Sequence, residues 1–145
     1  MKINIFGSTG EIGKKTLDLI DNNFLNIKVN LLCAKSSLEL LEKQIHKFKP
    51  KYAFLYDGEK ISNLKTRIGK TKILNYNELI YYLSNSHSNL SLLAISGYKS
   101  LYYLDYIIKN TDNLGIANKE AIVSAGHIFK KKKYFNITKI FPLDS

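Results

Sequence analysis

The sequence predicts an α/β fold, built as a doubly wound, mainly parallel sheet with helices on both faces. Short apolar segments rich in β-formers recur along the chain, and longer stretches with helical spacing separate most of them. Alternating strands and helices with short connections are typical of a parallel sheet covered on both sides. The strands are predicted at Ile3–Phe6, Ile27–Leu32, Tyr52–Leu55, Leu90–Ile95, Leu114–Ala117 and Ile137–Phe141.

Apolar residues spaced three and four positions apart predict helices between these strands. The four stripes begin at Ile12, Leu38, Leu101 and Ala121, and the second ends before Pro50. Residues 57–89 are the least regular part of the chain. There the sequence predicts a short helix, a weak strand at Lys72–Leu74, a helix from about Asn77 and a polar loop over Ser84–Asn89.

Length and composition predict one globular domain over residues 1–145. The chain has 145 residues, of which 45% are hydrophobic and 23% are charged, and this balance excludes a disordered tail or a fibre. A single cysteine, Cys33, excludes an internal disulfide and a four-cysteine zinc site. No apolar run approaches the ~20 residues of a membrane span, and no signal peptide is visible. A cytosolic, reduced protein is therefore expected.

The chain carries a formal net charge of +10, which is compatible with nucleic acid, an acidic membrane face or a phosphorylated small molecule as partner. Nucleic-acid binders rely on arginine for bidentate contacts, whereas Arg67 is the only arginine here. Lysine, asparagine, isoleucine and tyrosine are abundant, as in proteins from AT-rich genomes. We therefore attribute much of the lysine excess to codon bias and expect neither a nucleic-acid nor a membrane partner.

A glycine-rich loop, Gly7–Gly13, follows the first predicted strand and precedes the first predicted helix. Its glycines have the spacing G-x-x-G-x-x-G, a relative of the dinucleotide-binding fingerprint of Rossmann-like folds. The first glycine permits a tight turn, the second lets the backbone approach a pyrophosphate, and the third lets helix and strand pack closely. Free backbone N–H groups and the helix dipole attract phosphates. The strand–loop–helix context favours a nucleotide site over a purely structural turn.

The end of the second strand bears on the choice of cofactor. Enzymes that use NAD usually place a carboxylate there to bind the ribose hydroxyls. This chain instead continues Ala34-Lys35-Ser36-Ser37, with no carboxylate before Glu39. A lysine beside hydroxyl groups suits a 2′-phosphate, which favours NADPH over NADH. The structural alternative is that Ser36 or Ser37 caps the next helix, and both roles are compatible.

Two later segments carry candidate ligands. Asn118-Lys119-Glu120 follows a predicted strand, where ligands bind in open α/β sheets, but Asn118 could equally be the N-cap of a helix and Glu120 could complement its dipole. Asp144 follows the last predicted strand. A carboxylate there suits a hard cation such as Mg²⁺ or Mn²⁺, although one carboxylate does not make a site and a turn residue is the simpler interpretation.

Taken in order, these motifs resemble the N-terminal part of the 1-deoxy-D-xylulose 5-phosphate reductoisomerase family. The resemblance runs through the whole chain, and the asparagine-lysine-glutamate block and the closing Asp-Ser are more specific than the glycine loop. It rests on Gly7–Gly13 with Thr16, Leu17 and Asp18; on Pro50–Ala53; on Ile95–Gly97; on Ala117–Glu120 with Val123 and Gly126; and on Pro142–Ser145.

The resemblance implies an enzyme of isoprenoid precursor biosynthesis that uses NADPH and Mg²⁺ or Mn²⁺. Such an enzyme rearranges and reduces 1-deoxy-D-xylulose 5-phosphate to 2-C-methyl-D-erythritol 4-phosphate, as a homodimer in a bacterial cytoplasm or a plastid-type organelle. The metal would act as a Lewis acid. The cofactor-binding residues implied are Gly7, Thr9, Gly10, Glu11, Ile12, Ala34, Lys35, Ser36, Asn118 and Glu120. Lys119 and Ser145 are implied to contact the substrate, and Asp144 the metal.

Three departures from the family pattern accompany the resemblance. Glu11 stands where serine is usual, and its carboxylate would repel the cofactor phosphates unless it points to solvent or pairs with Lys14 or Lys15. Ala34 and Ser36 replace the usual glycine and asparagine beside Lys35. The family's catalytic and C-terminal domains are absent from the 145 residues, so the chain alone is expected to be inactive. The alternatives are a different NAD(P)-dependent oxidoreductase domain and, less favoured, a basic non-enzymatic binding module.

Overall fold

The structure is a computed structural model that describes residues 1–23, 26–57, 67–95, 101–117 and 139–142. The strands are β1 (Lys2–Phe6), β2 (Lys28–Ala34), β3 (Tyr52–Leu55), β4 (Arg67–Ile68), β5 (Thr71–Ile73), β6 (Ser88–Leu93), β7 (Thr111–Ile116) and β8 (Lys139–Pro142). The helices are α1 (Glu11–Asn23), α2 (Leu38–Phe48), α3 (Tyr76–Asn85) and α4 (Leu101–Asn110). None of these helices is long and apolar enough to cross a membrane.

The described strands form one eight-stranded sheet in the order β4-β5-β3-β2-β1-β6-β7-β8. All neighbouring pairs are parallel except β4 and β5, which are antiparallel. Along the sheet, the six strands β3-β2-β1-β6-β7-β8 have the order of a dinucleotide-binding sheet, in which the winding direction reverses between the first and the fourth strand of the motif. Here the reversal lies between β1 and β6. The predicted doubly wound α/β fold is therefore confirmed.

Helices cover both faces of the sheet, each over its own apolar cluster. On one face, Leu17 and Ile20 of α1 and Leu41 and Ile45 of α2 pack with buried strand residues such as Ile5. The opposite face is covered by α3 and α4, whose buried residues include Leu79, Leu83, Ile107 and Ile108. Because α1 and α2 lie on the same face, they can both reach the loops at the carboxyl ends of β1 and β2.

The face under α3 and α4 also contains a buried polar network around Asn4. Its side-chain amide donates to Asn110 Oδ1 at 3.2 Å, and its oxygen accepts from the Tyr82 hydroxyl at 3.3 Å. Asn30 donates to the same tyrosine oxygen from a register irregularity of β2. Ser88 at the start of β6 contacts Asn110 and Ser91. Polar side chains are thereby satisfied inside an otherwise apolar layer.

This network explains where the sequence-based boundaries fail. The polar segment predicted as a loop, Ser84–Asn89, instead ends α3 at Asn85 and begins β6 at Ser88, because Ser88 is buried and hydrogen-bonded. For a similar reason β7 begins at Thr111 rather than Leu114, since the buried Thr111 hydroxyl donates to the Asn113 carbonyl. Buried polar residues with hydrogen-bond partners therefore extend strands that apolar periodicity alone cuts short.

The other differences are small or lie outside the described residues. β2 continues two residues past its predicted end, to Ala34, and β6 ends two residues early, at Leu93. β4 and β5 form a hairpin that turns at Gly69, where φ is 57°. The sequence predicts only its second strand, as a weak strand at Lys72–Leu74. The predicted helix that begins at Ala121 falls outside the described residues, as does most of the short helix predicted after residue 57.

A candidate dinucleotide site at the carboxyl edge of the sheet

The loop between β1 and α1 is held against β2 by backbone hydrogen bonds. The N–H groups of Gly7 and Ser8 both donate to the Cys33 carbonyl oxygen, at 2.8 and 2.9 Å. The Gly10 N–H then donates to the Gly7 carbonyl at 3.2 Å and closes the turn before α1. Gly7 has φ 101°, a conformation that residues with a Cβ rarely adopt. The loop therefore needs a glycine at its first position.

The three glycines of the loop differ in what surrounds them. A Cβ on Gly7 would lie 2.6 Å from the Ala94 carbonyl oxygen, and one on Gly13 would lie 2.2 Å from the Gly7 carbonyl oxygen. Both distances are far below van der Waals contact, so these two glycines are required by the packing of the loop, β6 and α1. Among the described residues, a Cβ on Gly10 would meet only the Gly7 oxygen, at 3.5 Å, which is an ordinary contact. The described residues thus leave the exposed side of Gly10 open.

Glu11, the first residue of α1, pairs with Lys15. Its Oε1 lies 3.1 Å from the Lys15 Nζ, and the two side chains are 76% and 70% exposed. This is one of the arrangements expected for a carboxylate that must avoid phosphates at the start of the helix. Because the first-turn N–H groups of a helix have no intrahelical acceptor, the N-terminus of α1 remains favourable for an anion.

The second loop, between β2 and α2, places Lys35 directly after the strand. Lys35 is exposed and forms no ion pair with any described residue. Ser37 occupies the N-cap position of α2, which is one of the two positions predicted for a cap. Its side chain makes no capping hydrogen bond, however. An open groove of about 740 Å³ lies beside it and is lined by Ser36, Ser37, Leu38, Glu39, Leu40 and Lys43.

Asp57 is an acidic residue that the sequence reasoning missed at this edge. Its backbone N–H donates to the Lys35 carbonyl at 2.8 Å, and the Tyr56 N–H donates to the Ala34 carbonyl at 2.7 Å. The exposed Asp57 side chain therefore begins next to the Lys35 backbone, although it is distant in sequence. The predicted end of β3 at Leu55, combined with parallel pairing to β2, would have placed it there.

Gln44 of α2 is a second residue that the sequence reasoning missed. Its Nε2 donates to the Ser8 carbonyl oxygen at 2.8 Å, although the side chain is only 7% exposed. It lies among the apolar residues of the helix stripe, between Leu41 and Ile45. The sequence signal that could have pointed to Gln44 is its place as a polar residue within an apolar helix stripe.

Other sheet ends meet at the same edge. The Ala94 N–H donates to the Phe6 carbonyl at 2.7 Å, and the Ala117 N–H donates to the Leu93 carbonyl at 3.0 Å. The remaining predicted site residues, Asn118, Lys119, Glu120, Asp144 and Ser145, lie outside the described residues. Within the described part of the chain, no group of three or more His, Cys, Asp or Glu residues could hold a metal ion.

Cys33 has a backbone role at this site. It is 2% exposed, and burial raises the pKa of its thiol far above the usual range. A thiol that stays protonated is a poor nucleophile. The Cys33 side chain is thus a small buried group of the core, while its carbonyl oxygen anchors the glycine loop.

Comparison with known sequences decides the family. The sequence profile of 1-deoxy-D-xylulose 5-phosphate reductoisomerase matches residues 3–126. The chain belongs to this family. The reductoisomerase of Thermodesulfovibrio yellowstonii is 37% identical over 145 residues, which are 99% of this chain and 38% of that protein. That of Persephonella marina is 35% identical over 144 residues and is covered to 36%. The chain thus spans well under half the length of these reductoisomerases.

Solved reductoisomerase structures share the fold. The Zymomonas mobilis enzyme in complex with NADPH superposes with a TM-score of 0.84 and 25% identity, over 99% of this chain and 38% of that one. A reductoisomerase in complex with NADPH, fosmidomycin and magnesium gives 0.80 and 25%, over 100% of this chain and 36% of that one. The family resemblance expected from the motifs is therefore confirmed.

Proposed function

We propose that residues 1–145 are the NADPH-binding domain of a reductoisomerase that converts 1-deoxy-D-xylulose 5-phosphate to 2-C-methyl-D-erythritol 4-phosphate. The observation that carries the proposal is the meeting of two loops at the carboxyl ends of the neighbouring strands β1 and β2, next to the point where the sheet reverses its winding. One loop presents backbone at Gly10, and the other presents the cation of Lys35, which forms no ion pair with the described residues. The Cys33 carbonyl, which accepts from both Gly7 and Ser8, ties the first loop to the strand that carries the second.

The described residues fit a phosphorylated dinucleotide. The open side of Gly10 admits a phosphate against the backbone, and the α1 N-terminus favours its charge. We assign Gly7, Thr9, Gly10, Glu11 and Ile12 to the pyrophosphate side of the site. Ala34, Lys35 and Ser36 are assigned to the adenosine 2′-phosphate. When bound, NADPH supplies the hydride, and the protein orients it.

The rest of the proposed site rests on the family relationship. Asn118 and Glu120 are assigned to NADPH, Lys119 and Ser145 to the substrate, and Asp144 to Mg²⁺ or Mn²⁺. Magnesium and fosmidomycin are bound by a solved relative, which supports a metal and a phosphorylated substrate for this chain as well. The metal would polarise substrate oxygens as a Lewis acid. A homodimer, and a location in a bacterial cytoplasm or plastid-type organelle, belong to the same proposal.

A chimeric enzyme tests the proposal directly. Residues 1–145 replace the corresponding segment of the Thermodesulfovibrio yellowstonii enzyme, and oxidation of NADPH is followed after addition of 1-deoxy-D-xylulose 5-phosphate and Mg²⁺. The proposal predicts substrate-dependent oxidation that is lost in the matched chimera carrying Lys119→Ala. A folded chimera that binds NADPH but turns over no substrate would contradict the catalytic part. A folded chimera that does not bind NADPH would contradict the proposal altogether.

A further inference from the structure

The contact between Gln44 and the glycine loop links the two parts of the proposed site. Gln44 belongs to α2, whose N-terminus follows Lys35 and Ser36, yet its side chain reaches back to Ser8 in the loop after β1. The two residues are 36 positions apart in sequence, and the contact between them is buried. The helix α2 therefore begins beside the residues proposed for the adenosine 2′-phosphate, and it also holds the loop proposed for the pyrophosphate.

The chemistry of the contact determines the orientation of one peptide group. Gln44 Nε2 donates to the Ser8 carbonyl oxygen at 2.8 Å and so holds that oxygen toward the buried side of the loop. In a trans peptide unit the carbonyl and the following N–H point in opposite directions. No cis peptide bond occurs in the described residues. The Thr9 N–H consequently points away from Gln44.

The Thr9 N–H has no hydrogen-bond partner among the described residues. Thr9 itself is half-buried and precedes the open Gly10, at the position proposed for the pyrophosphate. An N–H group that is held outward before the ligand arrives costs no reorganisation on binding. It is therefore suited to donate to a phosphate oxygen.

The Gln44 side chain pairs one buried polar group and leaves another unpaired. It is 7% exposed and donates to the Ser8 carbonyl, but its own Oε1 finds no partner in the described part of the chain. Burial of an amide whose oxygen stays unpaired is unfavourable, but an apolar side chain in its place would leave the Ser8 carbonyl unpaired. The donor atom that reaches Ser8 is what an apolar replacement would lack.

We propose that Gln44 is a positioning residue for the cofactor, which orients the Ser8–Thr9 peptide so that the Thr9 N–H meets the dinucleotide phosphates. The inference rests on the proposed function, since it assumes that a dinucleotide binds at this loop. Gln44 does not touch the cofactor. Both NADPH and NADH carry the pyrophosphate, so the residue affects their affinities equally and leaves the choice between them to the loop of Lys35.

Titration of variants of the chain with NADPH and NADH tests the inference. Gln44→Met keeps the length of the side chain but removes the donor, and we expect the Kd for both cofactors to rise about tenfold with their ratio unchanged. Gln44→Glu, which cannot donate when ionised, is expected to lose at least as much. Ile45→Val is the matched control on the same helix, since it lowers the melting temperature without removing the contact to Ser8.

The Thr9 amide resonance of the ligand-free chain provides a readout that general destabilisation does not move. We expect Gln44→Met to shift this resonance and Ile45→Val to leave it in place. An unshifted Thr9 resonance in Gln44→Met would overturn the inference, as would equal losses of affinity in Gln44→Met and Ile45→Val. If the unsubstituted chain binds neither cofactor, the proposed function fails, and the resonance still decides whether Gln44 orients the peptide.

Discussion

The two loops at the carboxyl edge of the sheet are built in opposite ways. The loop of Gly7–Gly13 is fixed by its backbone, through shared hydrogen bonds to Cys33, two glycines without room for a Cβ and the buried contact to Gln44. The loop of Lys35–Ser37 is exposed or half-buried, and no side-chain cap closes the helix that follows it. The first loop offers backbone groups that suit any dinucleotide, and the second offers side chains that can distinguish one dinucleotide from another.

This difference predicts that substitutions in the first loop alter folding or overall affinity. Substitutions in the second loop should instead alter selectivity while leaving the fold intact.

The largest effect is expected for Gly13→Ala. The added Cβ would lie 2.2 Å from the Gly7 carbonyl oxygen and 2.7 Å from the Ser8 Cα, so α1 must move away from the loop. We expect a loss of about 3 kcal/mol in the free energy of unfolding. The melting temperature, measured by circular dichroism, should fall by roughly 10 °C. An unchanged melting temperature would show that α1 does not pack against the loop as described.

Gly10→Ala separates affinity from stability in the same loop. Its Cβ meets only one atom of the described residues, at 3.5 Å, so the free energy of unfolding should change by less than about 1 kcal/mol. The methyl group occupies the side from which a phosphate would approach, and the Kd for NADPH should rise at least about tenfold. Fluorescence titration and thermal melting of the same sample measure both quantities. Unaltered affinity would remove Gly10 from the site.

Lys35→Gln tests selectivity in the second loop. The variant lacks the charge proposed to meet the 2′-phosphate, so the Kd for NADPH should rise about tenfold while that for NADH stays constant. Added salt should reproduce part of this loss in the unsubstituted chain, since the lysine is exposed. Lys43→Gln, which removes an exposed lysine of α2 that also lines the groove, is the matched charge control. Equal losses for both cofactors in Lys35→Gln would contradict the division between the loops.

The smallest effect is expected for Glu11→Ser, which restores the residue usual in the family. Removal of the carboxylate from the start of α1 should lower the Kd for NADPH about twofold, because a like charge leaves the neighbourhood of the phosphates. The exposed pair with Lys15 is lost, at a cost of about 0.5 kcal/mol in unfolding free energy. Titration beside Lys15→Gln, which breaks the pair but keeps the carboxylate, separates the two effects. Weaker binding in Glu11→Ser would be the contradictory result.

Much of the fold follows from local sequence patterns, while the details of the site depend on contacts between distant residues. Apolar periodicity predicts the alternation of strands and helices, and the glycine spacing locates the first loop. The same spacing cannot tell that a Cβ at Gly13 would collide with the Gly7 backbone, whereas one at Gly10 would make an ordinary contact with it. Gln44 and Asp57 escaped prediction because each reaches the site through a contact with a different segment, Ser8 and Lys35 respectively.

The buried polar network shows the same limit in the core. Asn4 and Asn110 are 106 residues apart in sequence, and each is polar where periodicity expects an apolar residue or a loop. Their mutual hydrogen bond, together with Tyr82, makes burial favourable. A pattern of single residues contains no information about such a partner, so the starts of β6 and β7 were misplaced.

The most direct test of the account is the ratio of the Kd values of the unsubstituted chain for NADH and NADPH, measured by fluorescence titration at low salt. Backbone binding in the first loop and a cationic second loop predict that NADPH binds about tenfold more tightly than NADH. Equal affinities, or tighter binding of NADH, would contradict the assignment of Lys35 and its neighbours to the 2′-phosphate.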